Sequence, residues 1–166
     1  ADELQRILSN LENSTFVKRL KAASRRQLEI ASDMNGALST FGVYEEQVAK
    51  SQRDRAAKVS EREIAQSESV NTILADLQAY YERMQTDSLR LVADDMASRG
   101  VVGNLEELGN TITVNLNGQS IFMAEFWADN LDRWAEELIG PGTPPGVPVE
   151  PEPSPTSTSV PKSVPP

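Results

Sequence analysis

From Tyr44 to Arg99 the chain reads YEEQVAKSQRDRAAKVSEREIAQSESVNTILADLQAYYERMQTDSLRLVADDMASR, 56 residues without a Pro or a Gly. Nothing in such a stretch obliges a helix to break. One continuous helix here, at about 1.5 Å per residue, would be on the order of 84 Å long. Such lengths belong to coiled coils and extended bundles rather than to globular helices of ~10–14 residues. The second half carries a seam spaced alternately by three and four: Val70, Ile73, Leu77, Tyr80, Met84, Asp87 and Leu91. The first half, from Glu45 to Ser69, is strongly polar, with Val48, Ala49, Ala56, Val59 and Ile64 as its main apolar anchors. One narrow stripe suits a single partner helix, whereas the richer second half can contact two.

Working outward, the partners are the flanking segments. A first helix is expected over residues 3–35. Leu4, Ile7, Leu8 and Leu11 begin an apolar stripe that resumes as Phe16, Leu20, Ala23, Gln27, Ile30 and Met34. The jump of five from Leu11 to Phe16 puts the two stripes out of phase, so the helix either restarts near Asn13-Ser14 or rotates its buried face. Asn35-Gly36 reads as its C-terminal stop, and Gly36–Val43 as a turn holding Leu38 and Phe41. After Arg99-Gly100, Asn104 can cap a short turn through Leu108, and Gly109-Asn110 separates that turn from a last helix over 111–139. Thr111–Leu116 alternates and is β-branched, so a short strand before Asn117-Gly118 is a rival reading. A lone strand lacks a partner, which favours helix. Met123, Trp127, Leu131, Trp134 and Leu138 share one face of that helix.

These lengths predict an all-α protein, an elongated antiparallel helical hairpin or coiled coil closing into a three-helix section near residues 70–139. The first helix is expected on the first half of the long one and the last helix on its second half. Residues 1–140 then form one helical domain. All ten prolines lie between Pro141 and Pro166, so residues 141–166 read as a disordered Pro/Ser/Thr-rich linker or tail. The spacings Pro145–Pro148–Pro151 also match a polyproline ligand, without the flanking Arg that usually orients one.

Composition narrows the function. The 166 residues include no Cys and no His, which removes disulfides, the commonest zinc ligands and the usual general base. No run approaches the ~20 apolar residues that span a bilayer. The chain starts at Ala1 without a Met, as expected of a processed protein or an excised piece. The net charge of −9 is uneven. Residues 1–62 carry eleven Lys/Arg against nine Asp/Glu, and residues 63–166 five against sixteen. An acidic protein is a poor general nucleic-acid binder.

Adjacent carboxylates at Glu45-Glu46, Asp94-Asp95, Glu106-Glu107 and Glu136-Glu137 point about 100° apart on a helix and do not converge on an ion. No catalytic residues, cofactor or metal site are therefore expected, and the protein reads as not an enzyme. Glu125, Asp129, Asp132 and Glu136 share one face, read as the solvent side opposite the tryptophans, with Asp129–Arg133 as local support. The most distinctive charge feature is Lys18, Arg19, Lys21, Arg25 and Arg26, five cations in nine residues with no acid among them. They either pair with acids on the long helix or are simply solvated, or they form a docking patch for phosphate, anionic lipid or an acidic protein. No aromatic is interleaved with them to stack a base.

The stretches Glu12–Gln27 (ENSTFVKRLKAASRRQ) and Leu131–Leu138 (LDRWAEEL) resemble segments of large uncharacterised helical proteins of planctomycete bacteria. That resemblance covers about a quarter of the chain and brings no catalytic residues with it. It implies an excised region of a bigger protein associated with the cell envelope. The expected function is a non-catalytic structural or protein-interaction module, with a protein partner or self-association. The alternative is a binder of anionic surfaces or polymers through Lys18–Arg26.

Overall fold

The computed structural model describes residues 2–39, 46–84, 86–114 and 116–139. The expected turn tip with Phe41, the side chains of Val48 and Ala49, and the Pro-rich segment lie outside these residues. The protein is all-α, with no strand among the described residues. Its helices are α1 Asp2–Ser39, α2 Glu46–Met84, α3 Asp87–Arg99, α4 Val101–Ile112 and α5 Gly118–Ile139.

Helix α1 is continuous through Asn13-Ser14-Thr15, where the Thr15 hydroxyl donates back to the Leu11 carbonyl at 3.0 Å. It also passes Gly36, the expected stop, and ends at Ser39. Met34 and Ala37 are both buried on either side of that glycine. Their packing keeps the stripe in phase, which offsets a glycine cost of roughly 0.5–1 kcal/mol.

The 56-residue stretch does not form one helix. Helix α2 ends at Met84 and α3 starts at Asp87, with the chain reversed so that α3 and α4 return along α2. Thr86 is extended (φ −84°, ψ 119°) at the N-cap of α3, with Asp87 in the first turn, a favourable place for an acid at a helix N-terminus. Proline and glycine are sufficient to stop a helix but not necessary. Here reversal buries Leu89, Val92, Ala93 and Met96 on α3, which a straight helix would leave without cover. The seam accordingly holds through Val70, Ile73, Leu77 and Tyr80, all buried, whereas Leu91 is exposed.

Gly100 separates α3 from α4. Its φ of 63° is a left-handed conformation that glycine adopts without the penalty other residues incur, and its N–H donates to the carbonyls of Met96 and Ala97. Helix α4 then continues through Gly109, where a separator was expected, to Ile112. The described residues of 111–119 form neither one helix nor a strand. Helix ends at Ile112, a turn follows, and α5 starts at Gly118 with the Asn117 side chain accepting from the Ser120 N–H at 3.1 Å. That side-chain cap requires a non-helical Asn117, which is why the helix restarts rather than runs through.

Neighbouring segments run in opposite directions. On α1 and α2, Arg19 pairs with Asp76, Gln27 with Glu63, and Asp33 with Arg62. On α1 and α5, the Ser24 hydroxyl donates to the Ala128 carbonyl at 2.8 Å and Lys21 reaches Asp132. On α3 and α5, Asp95 meets Trp134. The most extensive contacts are α1 with α5 and α2 with α4. This corrects the expected division, in which the first helix packed on one half of the long helix and the last helix on the other. Because the long stretch folds back, four walls rather than three surround the apolar core. That core gathers Phe16 and Leu20 from α1, Val70–Tyr80 from α2, Leu89–Met96 from α3, and Trp127–Leu138 from α5. A second, smaller core holds Ile30, Ala31 and Met34 with Ala56, Val59, Leu108, Ile112 and Ala124.

Candidate functional site

The basic run lies on α1 where that helix is flanked by α2 on one side and α5 on the other. Its five cations spread around the helix instead of forming one patch. The Arg19 guanidinium sits 2.8 Å from the Asp76 carboxylate and 5.7 Å from the Phe16 ring centroid. Arg26 donates to the Gln66 side chain and the Ser69 hydroxyl, both at 3.2 Å. Lys21 turns the other way, to Asp132 at 2.7 Å and to Glu136. Burial opposes the Lys21 charge, but the two carboxylates outweigh it and the ammonium pKa is raised. Lys18 and Arg25, one heptad apart, are exposed and make no ion pair among the described residues. Three of the five therefore tie α1 to its neighbours, and two face outward.

The acidic stripe of α5 divides in the same way. Glu125 and Asp129 are exposed, while Asp132 and Glu136 take Lys21, so half of the expected solvent face is used inside the assembly. Arg133 does not pair with Asp129. It reaches Asp95 at 3.3 Å and Glu137 at 3.6 Å, because α3 brings Asp95 alongside. Asp95 also accepts from the Trp134 indole N–H at 2.8 Å and from Arg99 at 3.0 Å. The indole hydrogen bond lowers its pKa most; partial burial works against this, and Arg99 and Arg133 add to it. Both tryptophans are buried, Trp134 completely.

Across the smaller core the inner face of α2 is polar. Gln52, Ser60, Glu63, Gln66 and Ser67 are all buried. The Gln66 amide donates to the Ala23 carbonyl at 2.6 Å, and the Ser60 hydroxyl to the Gly109 carbonyl at 2.6 Å. Glu63 has no exposed surface, and its Oε1 accepts from Gln27 Nε2 at 2.6 Å. Burial pushes its carboxyl up to about 7, against the opposing effects of Gln27 and Arg62. The sequence placed Gln27 in the stripe of α1, but the seam of the long stretch was followed only from Val70 onward, so its polar layer was missed. The signal was nonetheless present: extending the seam's three-and-four spacing backwards from Val70 lands on Gln66, Glu63, Val59, Ala56 and Gln52.

The N-terminal stripe of α1 finds no cover among the described residues. Residues 2–12 are exposed apart from half-buried Ser9, and Leu4 and Leu11 are 63% and 61% exposed. The phase jump at Leu11–Phe16 turns this stripe away from the face that Phe16 and Leu20 bury. Among the described residues no group of three His, Cys, Asp or Glu side chains is placed to hold a metal ion, and no helix is long and apolar enough to cross a membrane. Compared with known proteins, the chain matches no family model, no curated sequence and no solved structure.

Proposed function

We propose that this chain is a non-catalytic helical bundle that works as a structural and protein-interaction module within a larger, envelope-associated protein. The observation that supports this most is the uncovered apolar stripe Leu4, Ile7, Leu8 and Leu11 on a helix whose remaining length is firmly packed. Four large apolar side chains at i, i+3, i+4 and i+7 make the pattern by which a helix meets another helix. In this reading the bundle is the rigid base and the first three turns of α1 are the contact surface, with a second helix of matching apolar face as occupant.

Binding to anionic surfaces or polymers is the competing reading. It draws on Lys18 and Arg25 alone, since Arg19, Lys21 and Arg26 already have partners within the fold. Sedimentation at low and moderate salt tests both readings. Association through the stripe is expected to persist as salt rises and to vanish in the variant Leu8→Glu, Leu11→Glu, while circular dichroism stays helical. Association that weakens steeply with salt and survives that variant would transfer the role to the cations. A wild-type chain that remains monomeric under all conditions would overturn self-association.

A further inference from the structure

Gln27 and Glu63 are in contact, and each holds a buried side-chain oxygen that has no hydrogen-bond partner among the described residues. Glu63 Oε1 accepts from Gln27 Nε2 at 2.6 Å, while Glu63 Oε2 and Gln27 Oε1 are buried with no hydrogen bond. Both are acceptors when the carboxylate is ionised, and a buried acceptor without a donor is costly. A protonated carboxylic acid carries one O–H donor. A primary amide offers one N–H and one C=O side by side, so acid and amide can join through two hydrogen bonds in a closed ring.

We propose that Glu63 is held as a neutral acid, its Oε2–H donating to Gln27 Oε1, so that the pair forms a proton-dependent clamp between α1 and α2. A single proton supplies what both orphaned atoms need, and loss of that proton leaves two acceptors facing each other. The surroundings suit the neutral form. Around the clamp, α1 contributes Arg26, which is directed to Gln66 and Ser69, and the exposed Glu29. On α2 itself Arg62 is engaged by Asp33. On α4 the buried groups at this level are Leu108, Gly109 and Ile112, with Glu106 and Glu107 exposed. On α5 they are Ala124, Trp127 and Ala128, with Glu125 and Asp129 exposed. No cation makes an ion pair with Glu63 among the described residues.

The sign of the pH dependence follows. The folded carboxyl binds its proton up to about 7, against 4.5 for an unperturbed glutamate. The clamp's contribution is therefore complete below about 4.5 and is lost as pH rises through about 7. The unfolding equilibrium constant should rise on the order of a hundredfold over that interval from this group alone.

Carbon-detected NMR on the full chain, with labelled Glu and Gln side chains, reads both halves of the clamp. Glu63 Cδ should titrate near neutrality, and Gln27 Cδ should move with the same midpoint as its carbonyl loses the donor. Glu63→Gln, which keeps two hydrogen bonds without a proton to lose, should unfold with nearly the same midpoint at pH 5 and pH 8. A Glu63 midpoint in the ordinary carboxylate range would overturn the proposal. So would a Gln27 carbonyl that ignores the titration, or a Glu63→Gln variant whose stability declines with pH in parallel with the wild type. If that variant does not fold, the wild-type titration decides alone.

Discussion

The two ends of this bundle are held together by different chemistry. Toward the N-terminus of α1 the walls meet through large apolar side chains: Phe16 against Tyr80 edge-on at 5.9 Å, with Leu77, Leu89, Met96, Leu131 and Trp134 fully or nearly fully buried. Toward the C-terminus of α1 the apolar side chains are fewer and smaller, and Ser60, Glu63 and Gln66 bridge to neighbouring helices by hydrogen bonds. There the helices approach closely. A Cβ added to Gly109 would lie 2.8 Å from Ile64 Cγ1 and 3.3 Å from the Ser60 carbonyl. The first end is held by burial, which is tolerant of direction. The second depends on close approach and donor–acceptor geometry, which are not. A heptad face can therefore remain buried where it turns polar, provided that each polar group finds a partner.

The sharpest test of this contrast is truncation in the apolar end. Trp134→Ala should cost about 3–5 kcal/mol in urea unfolding, because it opens a large cavity and strips Asp95 of its indole donor. Val59→Ala in the polar end should cost less, about 1–2 kcal/mol. Equal losses would show that the two ends share one kind of core.

The complementary test adds bulk. Gly109→Leu should destabilise by roughly 1–3 kcal/mol through overpacking against α2. Leucine is the better helix former, so a neutral or stabilising outcome would mean that α4 can move away from α2 without loss.

Acid should act at the other end. The Asp95 pKa is lowered in the fold, so its contribution is present above the ordinary aspartate range and is lost as pH falls through its folded value. Asp95→Asn should flatten the acid limb of the unfolding curve below about pH 4. An unchanged acid limb would assign acid sensitivity to other carboxylates.

The smallest effect is expected from the outward cations. Reversing Lys18 and Arg25 to Glu should change stability by only tenths of a kcal/mol, whereas Lys21→Glu, set between Asp132 and Glu136, should cost more. Thermal melts of the three variants read the difference. A large loss at Lys18 or Arg25 would mean that they too hold α1 in place.

Much of this was legible from the residues alone. Helical class followed from apolar spacing and from the confinement of every proline to residues 141–166. The seam residues Val70–Tyr80 and both tryptophans were identifiable as core, because spacing fixes which side chains share a face whatever covers them. The phase jump after Leu11 marked where the two stripes part, but which of them packs was decided by the structure, where Phe16 and Leu20 are buried and Leu4, Ile7, Leu8 and Leu11 are exposed. The reversal at Thr86 was less visible, since a Thr-Asp helix start is a weak local preference with no breaker beside it. It prevails because turning back buries a face of α3, a gain that exists only once α2 and α5 are there to meet it. The same holds for Lys21, Arg133, Gln27 and Glu63. Their types and spacing give the chemistry each can offer, but partners more than thirty residues away are set by how the helices assemble. Periodicity is a property of one helix, and a hydrogen bond across two helices is a property of their arrangement.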